Sequence, residues 1–383
     1  MSRSTALAEE HALGGARMVD FAGWQLPVQY ASAQQEHDAV RQAAGMFDVS
    51  HMMITDVQGP GAQDFLRTLL CADVARLGQP GAGRYTCLLN EAGGVIDDLI
   101  VFRRAFGNAP AYRIVSNAGT RERVNDWFAG RLSGWSGPEV KLHSRSDLSM
   151  LAIQGPEALG RSTPHLLAIA LGSESDAATL EGLERFYAVE GEQGFVSRTG
   201  YTGEVGVEVC LPHAQAVTLW RQLRDEAQVV PCGLAARDVL RLEAGLNLQG
   251  TDMDESTRPQ EVGLRWLLDL EDAKRDFVGR SAVDPVSAAP ERFVRQGLRL
   301  EDKGVPRGGC EVLAGEHVEQ AVRVGEVTSG SFSSTLGCGI ALFRLDQAHR
   351  AEVRGGVPLY VQVRQRRLRA ALTPPPFVRP EVP

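Results

Sequence analysis

The chain has 383 residues, 43% of them hydrophobic, and carries 40 Lys and Arg against 48 Asp and Glu. This length exceeds what one hydrophobic core usually supports, so two or three domains are expected. The net charge of −8 argues against nucleic acid as the main partner and favours small molecules or other proteins.

Cysteine usage and hydropathy indicate the compartment. Six cysteines are scattered without a C-x-x-C pair, which predicts reduced thiols, a cytoplasmic protein and no zinc site. No apolar run approaches the roughly 18–20 residues of a transmembrane helix. The N-terminal segment also lacks the apolar core of a secretory signal. We therefore expect neither a membrane span nor a metal centre.

Short helices and strands are predicted along the whole chain, because Gly and Pro interrupt it frequently. They do not alternate strictly, which favours an α+β fold with antiparallel sheets. Thr120 is a predicted N-cap, and Gly245 a predicted helix end. The Pro-, Ala- and Ser-rich segment 284–292 predicts a linker before an all-β C-terminal domain. Apolar spacing predicts helices within 29–44, 119–132, 214–227 and 233–246, and strands within 112–118, 194–211 and 359–372.

The segment GGVIDDLIVFR (93–103) is an apolar strand that contains two adjacent carboxylates, Asp97 and Asp98. Adjacent strand side chains point to opposite faces, so the two carboxylates cannot share one side. Each lies among apolar neighbours, where an unpaired charge is costly. Either both are structural, or one stays ionised in a pocket as a base or as the partner of a developing cation. Spacing alone does not choose between these interpretations.

A second polar strand is predicted in RTGYTGEVGVEV (198–209). Alternation places Glu204, Gly206 and Glu208 on one face and three valines on the other. One interpretation is a half-exposed strand with solvated glutamates. The other is a binding site, because a glycine between two glutamates lets a ligand approach the backbone. Tyr201, just upstream, could then stack on a flat ring.

Two groups of arginines likewise allow either a structural or a binding interpretation. Arg237, in the predicted helix 233–246, is either part of a surface ion pair or one half of a clamp. A carboxylate from 204–208 and a guanidinium would together suit a heteroaromatic amide such as a pterin. The segment VRQRRLR (363–369) is either a charged edge strand or an anion-binding face for a polyglutamyl tail or an acidic protein.

With these segments in hand, the chain resembles the T-protein (aminomethyltransferase) family of the glycine cleavage system nearly end to end. The resemblance implies an α+β fold of three domains in a clover-leaf around a central folate channel, with a C-terminal barrel or jelly-roll-like β-domain. The implied domains are 1–50 with 141–250 (folate-binding), 51–140 with 251–283 (carrying Asp98), and 293–383 after the linker 284–292. The resemblance is carried by MVDFAGWQLPVQY (18–30), GMFDVSHM (45–52), YTCLLNEAGGVIDDLIVFR (85–103), SNAG (116–119), LAIQGPEA (151–158), RTGYTGEVGVEV (198–209), GLAARDVLRLEAGLNLQGTDMDE (233–255) and GEVTSGSFSSTLG (325–337).

The same resemblance implies an activity and a site. The protein would move an aminomethyl carbon from lipoylated H-protein to tetrahydrofolate as co-substrate, giving 5,10-methylenetetrahydrofolate and ammonia. Asp98 would be catalytic, with Asp97 and Glu204 in supporting parts. No metal, flavin or nucleotide is expected, and no nucleic acid or membrane partner. The implied folate-binding residues are Glu208, Arg237, Tyr85, Asn117, Tyr201 and Arg379.

One residue departs from the family pattern, and one alternative function stays open. Gln249 stands in NLQG, where a tyrosine is common in the family. The alternative is a folate-dependent demethylase or methyltransferase that acts on a free N-, S- or O-methyl compound. A fused oxidase is disfavoured, because no G-x-G-x-x-G follows a predicted strand. A non-catalytic folate protein of iron–sulfur cluster maintenance is disfavoured by the lack of a Lys-Gly-Cys motif.

Overall fold

The computed structural model of the chain describes residues 2–105, 109–172 and 175–379. Met1 and residues 380–383 of the predicted C-terminal domain therefore lie outside the described residues. The predicted α+β class with antiparallel sheets is confirmed, because three open sheets and a closed barrel are built mainly from antiparallel pairs. Two short strands pair in parallel with a neighbour, Arg3–Ser4 and Val230–Pro231.

Two of the open sheets belong to the N-terminal and middle parts of the chain. The first is three-stranded, in the order Arg3–Ser4, Trp24–Gln29 and Arg17–Phe21. The second contains the predicted 194–211 region, which the structure divides into two strands. Residues 198–205 leave the sheet, so the strand that carries Glu208 begins at Gly206. In spatial order its strands are Ala188–Glu190, Phe195–Ser197, Gly206–Pro212, Leu148–Gln154, Gly45–Asp48 and Val230–Pro231.

The third open sheet carries the two adjacent carboxylates. Asp97 and Asp98 lie in its Val95–Arg104 strand, directly opposite Leu88 and Cys87 of the neighbouring strand. Residues 141–144, which the predicted division assigns to the first domain, pair with this sheet instead. The domain division as a whole stays a prediction. In spatial order the strands are Gly83–Leu89, Val95–Arg104, Ala111–Ser116, Met53–Gln58 and Lys141–Ser144.

The C-terminal part of the described chain is a closed six-stranded barrel, as expected from its β-rich sequence. Closure changes the interpretation of the arginine-rich segment 363–369. The strand Arg366–Leu372, which contains three of the four arginines of this segment, is paired with a neighbouring strand on each side. It is therefore not an edge strand. Arg369 there is paired with Glu301 at 2.9 Å. In spatial order the strands are Phe293–Leu300, Cys338–Asp346, Val322–Ser333, Glu311–Ala314, Leu359–Val363 and Arg366–Leu372.

Helices pack against the sheets, and the four helices predicted from apolar spacing are all present; the other six helices of the described chain are shorter and were not predicted. Thr120 precedes a helix, as expected, but its side chain makes no capping hydrogen bond. The described residues include no helix that is long and apolar enough to cross a membrane. The α-helices of the described chain are Ala8–Leu13, Ala33–Gln42, Ala62–Leu69, Arg121–Ser133, Ala158–Leu166, Ala177–Glu181, His213–Asp225, Leu234–Glu243, Arg280–Val283 and Arg350–Arg354.

The Leu234–Glu243 helix joins the six-stranded sheet to the barrel. Its Arg241 donates to the Ser329 hydroxyl at 2.9 Å, and its Glu243 accepts from the Ser333 hydroxyl at 2.5 Å. Both barrel residues lie in the Val322–Ser333 strand. These bonds fix the last turn of the helix against the barrel, and Arg237 lies one turn earlier on the same helix.

Candidate active site

The two adjacent carboxylates lie in a central strand of the five-stranded sheet but differ in exposure. The Asp97 residue is fully buried, whereas Asp98 is half-buried. The apolar residues around them, including Ile96 and Leu99, fill the sheet's core. Strand geometry therefore fixes both backbones and leaves only Asp98 with an accessible surface.

Asn117 connects the two carboxylates. It follows the neighbouring Ala111–Ser116 strand, and its Nδ2 lies 2.9 Å from Oδ1 of Asp97 and 2.9 Å from Oδ1 of Asp98. Its backbone N–H donates to Oδ2 of Asp97 at 3.0 Å. The two carboxylates are thus held by one amide, although alternation predicted that they could not share a side. Asn117 is one of the residues predicted to line the folate site. Its side-chain N–H groups donate to this pair and to the Asp98 carbonyl.

The pair has an unusual proton affinity. Burial, and then the neighbouring charge of Asp98, raise the pKa of Asp97 to about 7, although the hydrogen bonds from Asn117 oppose this shift. Burial also raises the pKa of Asp98, against the hydrogen bond from Tyr85. Because the two carboxylates interact, they titrate as a unit. The pair can therefore hold a proton near neutral pH.

Tyr85 orients the second carboxylate. Its hydroxyl donates to Oδ2 of Asp98 at 2.7 Å. Burial and the charge of Asp98 raise the pKa of the Tyr85 phenol well above its usual value, so it stays a donor. The ring of Trp266 lies 6.1 Å from the Tyr85 ring, and Trp266 is 63% exposed. An aromatic surface therefore leads from solvent to the Asp98 side of the strand.

Glu208 and Arg237 approach one another from different elements. The Gly206–Pro212 strand supplies Glu208, whose Oε2 accepts from the Thr199 hydroxyl at 2.5 Å. The Arg237 guanidinium lies over the Tyr201 ring at 4.8 Å, and its Nη1 is buried without a hydrogen-bond partner. Burial raises the pKa of Glu208, whereas the Arg237 charge acts in the opposite direction. Since buried polar groups are normally paired, this unpaired nitrogen favours a ligand between them.

Tyr201 links this clamp to the carboxylate pair. Its phenol pKa is raised by burial, and the charges of Asp98 and Arg237 both act on it. Its hydroxyl donates to the Asn247 carbonyl, which fixes the ring under Arg237. The structure thus places Tyr201 within electrostatic range of both groups.

The structure does not bring two further predicted residues to this centre. Glu204 lies in the loop before the Glu208 strand and is paired with Arg41 at 2.6 Å. The predicted shared face of Glu204 and Glu208 is therefore wrong. The glycine at position 206 is explained by backbone packing, without a ligand. A Cβ there would lie 2.2 Å from the Ile153 carbonyl oxygen of the neighbouring strand. Arg379 is exposed, and within the described residues it makes no hydrogen bond or ion pair with the other site residues.

The sequence assigned no role to two polar residues near this centre, His51 and Arg295. A third, Gln249, was noted only as a departure from the family pattern. Gln249 donates to the Ile96 carbonyl at 3.0 Å, and its Oε1 is buried without a partner. The buried His51 has an unpaired Nδ1, and burial with the Arg237 charge lowers its pKa to about 4. Arg295 reaches in from the barrel and donates to Asn247 at 2.7 Å. The segment GMFDVSHM contains His51, but no local pattern points to Arg295.

With this geometry described, comparisons with known proteins give one family. The GCVT N-terminal domain matches residues 7–272, and the glycine cleavage T-protein C-terminal barrel domain matches residues 294–379. An aminomethyltransferase of Methylococcus capsulatus is 45% identical over 99% of this chain and 98% of its own length. One from Alcanivorax borkumensis is 46% identical over the same shares. The crystal structure of glycine cleavage system aminomethyltransferase T from Bartonella henselae superposes with a TM-score of 0.87, at 32% identity over 99% of each chain.

Proposed function

The chain belongs to the glycine cleavage T-protein family and is an aminomethyltransferase of that system, and from this premise we propose its substrates and the roles of its residues. The acceptor is tetrahydrofolate and the donor is the aminomethyl group on the lipoyl arm of H-protein. The products are 5,10-methylenetetrahydrofolate, ammonia and the free dihydrolipoyl thiol of H-protein, because the bonds of the transferred carbon to sulfur and to the amino nitrogen break as its two bonds to the folate nitrogens form. The protein acts in the cytoplasm, where its six free cysteines stay reduced.

The observation that carries the choice of acceptor is the unpaired, buried Nη1 of Arg237 in the clamp that Arg237 forms with Glu208. A pterin ring carries a flat amide and amino edge that matches these two groups. The Glu208 carboxylate accepts two N–H groups, and the Arg237 guanidinium donates to a ring nitrogen or carbonyl. Tyr201 supports the arginine and, together with Phe47 at 5.9 Å from the guanidinium carbon, bounds the pocket with aromatic surface. Binding would satisfy the buried Nη1 of Arg237.

Asp98 is the group that carries the chemistry. It is the accessible member of the carboxylate pair, and its orientation is set by Tyr85 and Asn117. When the folate nitrogen attacks the aminomethyl carbon, it loses a proton and positive charge develops nearby. An oriented carboxylate can accept that proton or balance that charge.

Asp97 and Asn117 are positioning residues in this proposal. Asp97 is too deeply buried to touch a substrate, but its proton affinity depends on the charge of Asp98. Asn117 keeps the two carboxylates at a fixed separation through its Nδ2. When the pair holds one proton and that proton lies on Asp97, Asp98 is left ionised and can accept the proton that the folate nitrogen loses.

A substrate-selectivity assay tests the proposal against its alternative. Aminomethylated H-protein is supplied with and without tetrahydrofolate, with dimethylglycine and sarcosine as free N-methyl competitors. We expect folate-dependent release of ammonia from the H-protein substrate and no turnover of the free amines. Turnover of the free amines in place of H-protein would instead establish a demethylase. The relatives from Methylococcus capsulatus and Alcanivorax borkumensis, both named aminomethyltransferases, favour the first outcome.

A further inference from the structure

A cavity of about 470 Å³ lies next to the N-terminal three-stranded sheet. Its walls include Arg3 and Trp24 of that sheet, Arg121 of the Arg121–Ser133 helix, and residues 144–146. Among the described residues that line it, none is Asp or Glu, although acidic residues outnumber basic ones in the chain. The cavity is therefore a concentrated positive region in an acidic protein.

Two of the guanidinium groups there have no acidic partner. Arg3 and Arg121 lie over the same Trp24 ring, at 5.8 and 5.6 Å from its centroid. Arg121 donates from Nη2 to the His51 carbonyl at 2.9 Å, but its Nε is buried without a partner. Within the described parts of the chain, neither Arg3 nor Arg121 forms an ion pair. Burial and the neighbouring Arg3 charge both lower the pKa of Arg121, as expected for a guanidinium without a counter-charge.

Other arginines of the same helix show what a compensated arrangement looks like. Arg123 and Arg131 also lie over a tryptophan, Trp127, at 4.8 and 4.4 Å. Each of them has a carboxylate partner, Glu255 for Arg123 at 2.8 Å and Glu91 for Arg131. Stacking on tryptophan therefore does not replace a counter-charge in this helix. Unlike Arg123 and Arg131, Arg121 has no carboxylate partner within the described chain.

The third arginine of the cavity is already neutralised. Arg145 pairs with Asp56 at 2.9 Å and with Asp147 at 2.7 Å. The available donors are thus Arg3, Arg121 and the exposed hydroxyls of Ser144 and Ser146. Guanidinium forks match the geometry of carboxylate and phosphate oxygens. The volume lies in the range of small-molecule pockets.

We propose that this cavity binds an oxyanion, the carboxylate or phosphate group of a small molecule, between Arg3 and Arg121. The bound group would accept hydrogen bonds from both guanidiniums while its remaining atoms lie along the Trp24 ring. This site is separate from the clamp of Glu208 and Arg237 and does not depend on the proposed function.

The test is calorimetric titration of the full-length protein at low ionic strength with inorganic phosphate and, separately, with malonate. Arg121→Gln and Arg3→Gln are each expected to weaken binding by about tenfold to a hundredfold, because each removes charge-assisted hydrogen bonds. Arg131→Gln is the matched control, since it removes a tryptophan-stacked arginine from the same helix. It should leave the affinity unchanged.

Arg3→Gln also guards against misfolding, because the Arg3 side chain makes no hydrogen bond within the described chain and lies at the surface. Binding of phosphate alone identifies a phosphoryl ligand, and binding of malonate alone identifies a carboxylate; either result supports the site. Two results would overturn it: no binding of either probe, or binding that Arg3→Gln and Arg121→Gln leave at the wild-type strength.

Discussion

Asp56 and Asp97 are buried carboxylates on the same five-stranded sheet, yet their surroundings are opposite. Asp56 lies across from Arg113 in the strand register and is bound by it at 2.8 Å, and also by Arg104 at 2.7 Å and Arg145 at 2.9 Å. Asp97 has no cationic partner among the described residues; it receives the amide groups of Asn117 and faces the like charge of Asp98.

The proton affinities follow from these surroundings. Burial raises the pKa of both carboxyl groups, but the three arginines lower the pKa of Asp56 overall, whereas the pKa of Asp97 rises to about 7. One sheet therefore contains a closed ion network and an open pair that can hold or release a proton. We infer that the closed network stabilises the fold, and we propose that the open pair serves the chemistry. Each prediction below tests this distinction.

The largest effect is expected from Asp98→Asn. The substitution keeps the shape of the side chain but removes the carboxylate that we propose as proton acceptor, so aminomethyl transfer should fall about 10²- to 10⁴-fold. Folate affinity and the thermal midpoint should change little. Asp97→Asn, assayed in parallel, should lose less activity because Asp97 acts only through Asp98. Wild-type turnover of Asp98→Asn would remove this residue from the chemistry.

Asp56→Asn should show the reverse pattern. Breaking one partner of a buried charge network leaves the arginines unpaired, and such changes cost about 3–5 kcal/mol of unfolding free energy. Denaturant unfolding measures the loss, and turnover per folded molecule should stay near wild type. A folded Asp56→Asn protein that cannot turn over would show that the network is not purely structural.

The clamp is expected to control affinity more than turnover. Glu208→Gln and Arg237→Gln should each weaken tetrahydrofolate binding about tenfold to a hundredfold, as expected for lost hydrogen bonds to a charged group. Calorimetry gives the constants. Glu204→Gln is the matched control, because Glu204 is paired with Arg41 outside the clamp. An equal loss in Glu204→Gln would contradict the assignment.

The smallest expected effect is a shift in the pKa of the Asp97 carboxyl group. Infrared difference spectra across pH should show a carboxylic acid with an apparent pKa of about 7, absent in Asp97→Asn. Asp98→Asn should lower that value, since the like charge is gone. A pKa that does not move in Asp98→Asn would mean that burial alone sets it.

The same shift predicts a pH dependence of stability. Between the unfolded pKa of 3.8 and about 7, the folded state holds a proton on Asp97 that the unfolded chain has released. The contribution of Asp97 is therefore present in acid and lost as the pH rises toward 7. Asp56, whose pKa is lowered, contributes above its unfolded pKa and loses that contribution as the pH falls. Thermal midpoints of Asp97→Asn and Asp56→Asn across pH should diverge in opposite directions.

Much of the fold could be predicted from periodicity, and the exceptions have physical causes. Apolar alternation located the strand of Asp97 and Asp98, and helical spacing located the Leu234–Glu243 helix with Arg237. Alternation failed at Glu204, because the chain leaves the sheet until Gly206, where the close neighbouring backbone admits only glycine.

Less of the candidate site than of the fold could be predicted from the sequence. The roles given to Asp98, Glu208 and Arg237 came from a family resemblance and stay predictions. The bridge made by Asn117 depends on how two strands are paired, which no local pattern records. Arg295 enters from the barrel, more than forty residues beyond Asn247, to which it donates. Such contacts exist only after the domains are assembled.

The most direct test of the central claim is a crystal structure of the full-length protein with tetrahydrofolate bound. We predict that the pterin edge lies between Glu208 and Arg237, with Nη1 of Arg237 hydrogen-bonded to it. The reacting nitrogens should then lie within reach of the Asp98 carboxylate, and the Asp56 network should be unchanged. A folate bound elsewhere, with Nη1 of Arg237 still unpaired, would contradict the account.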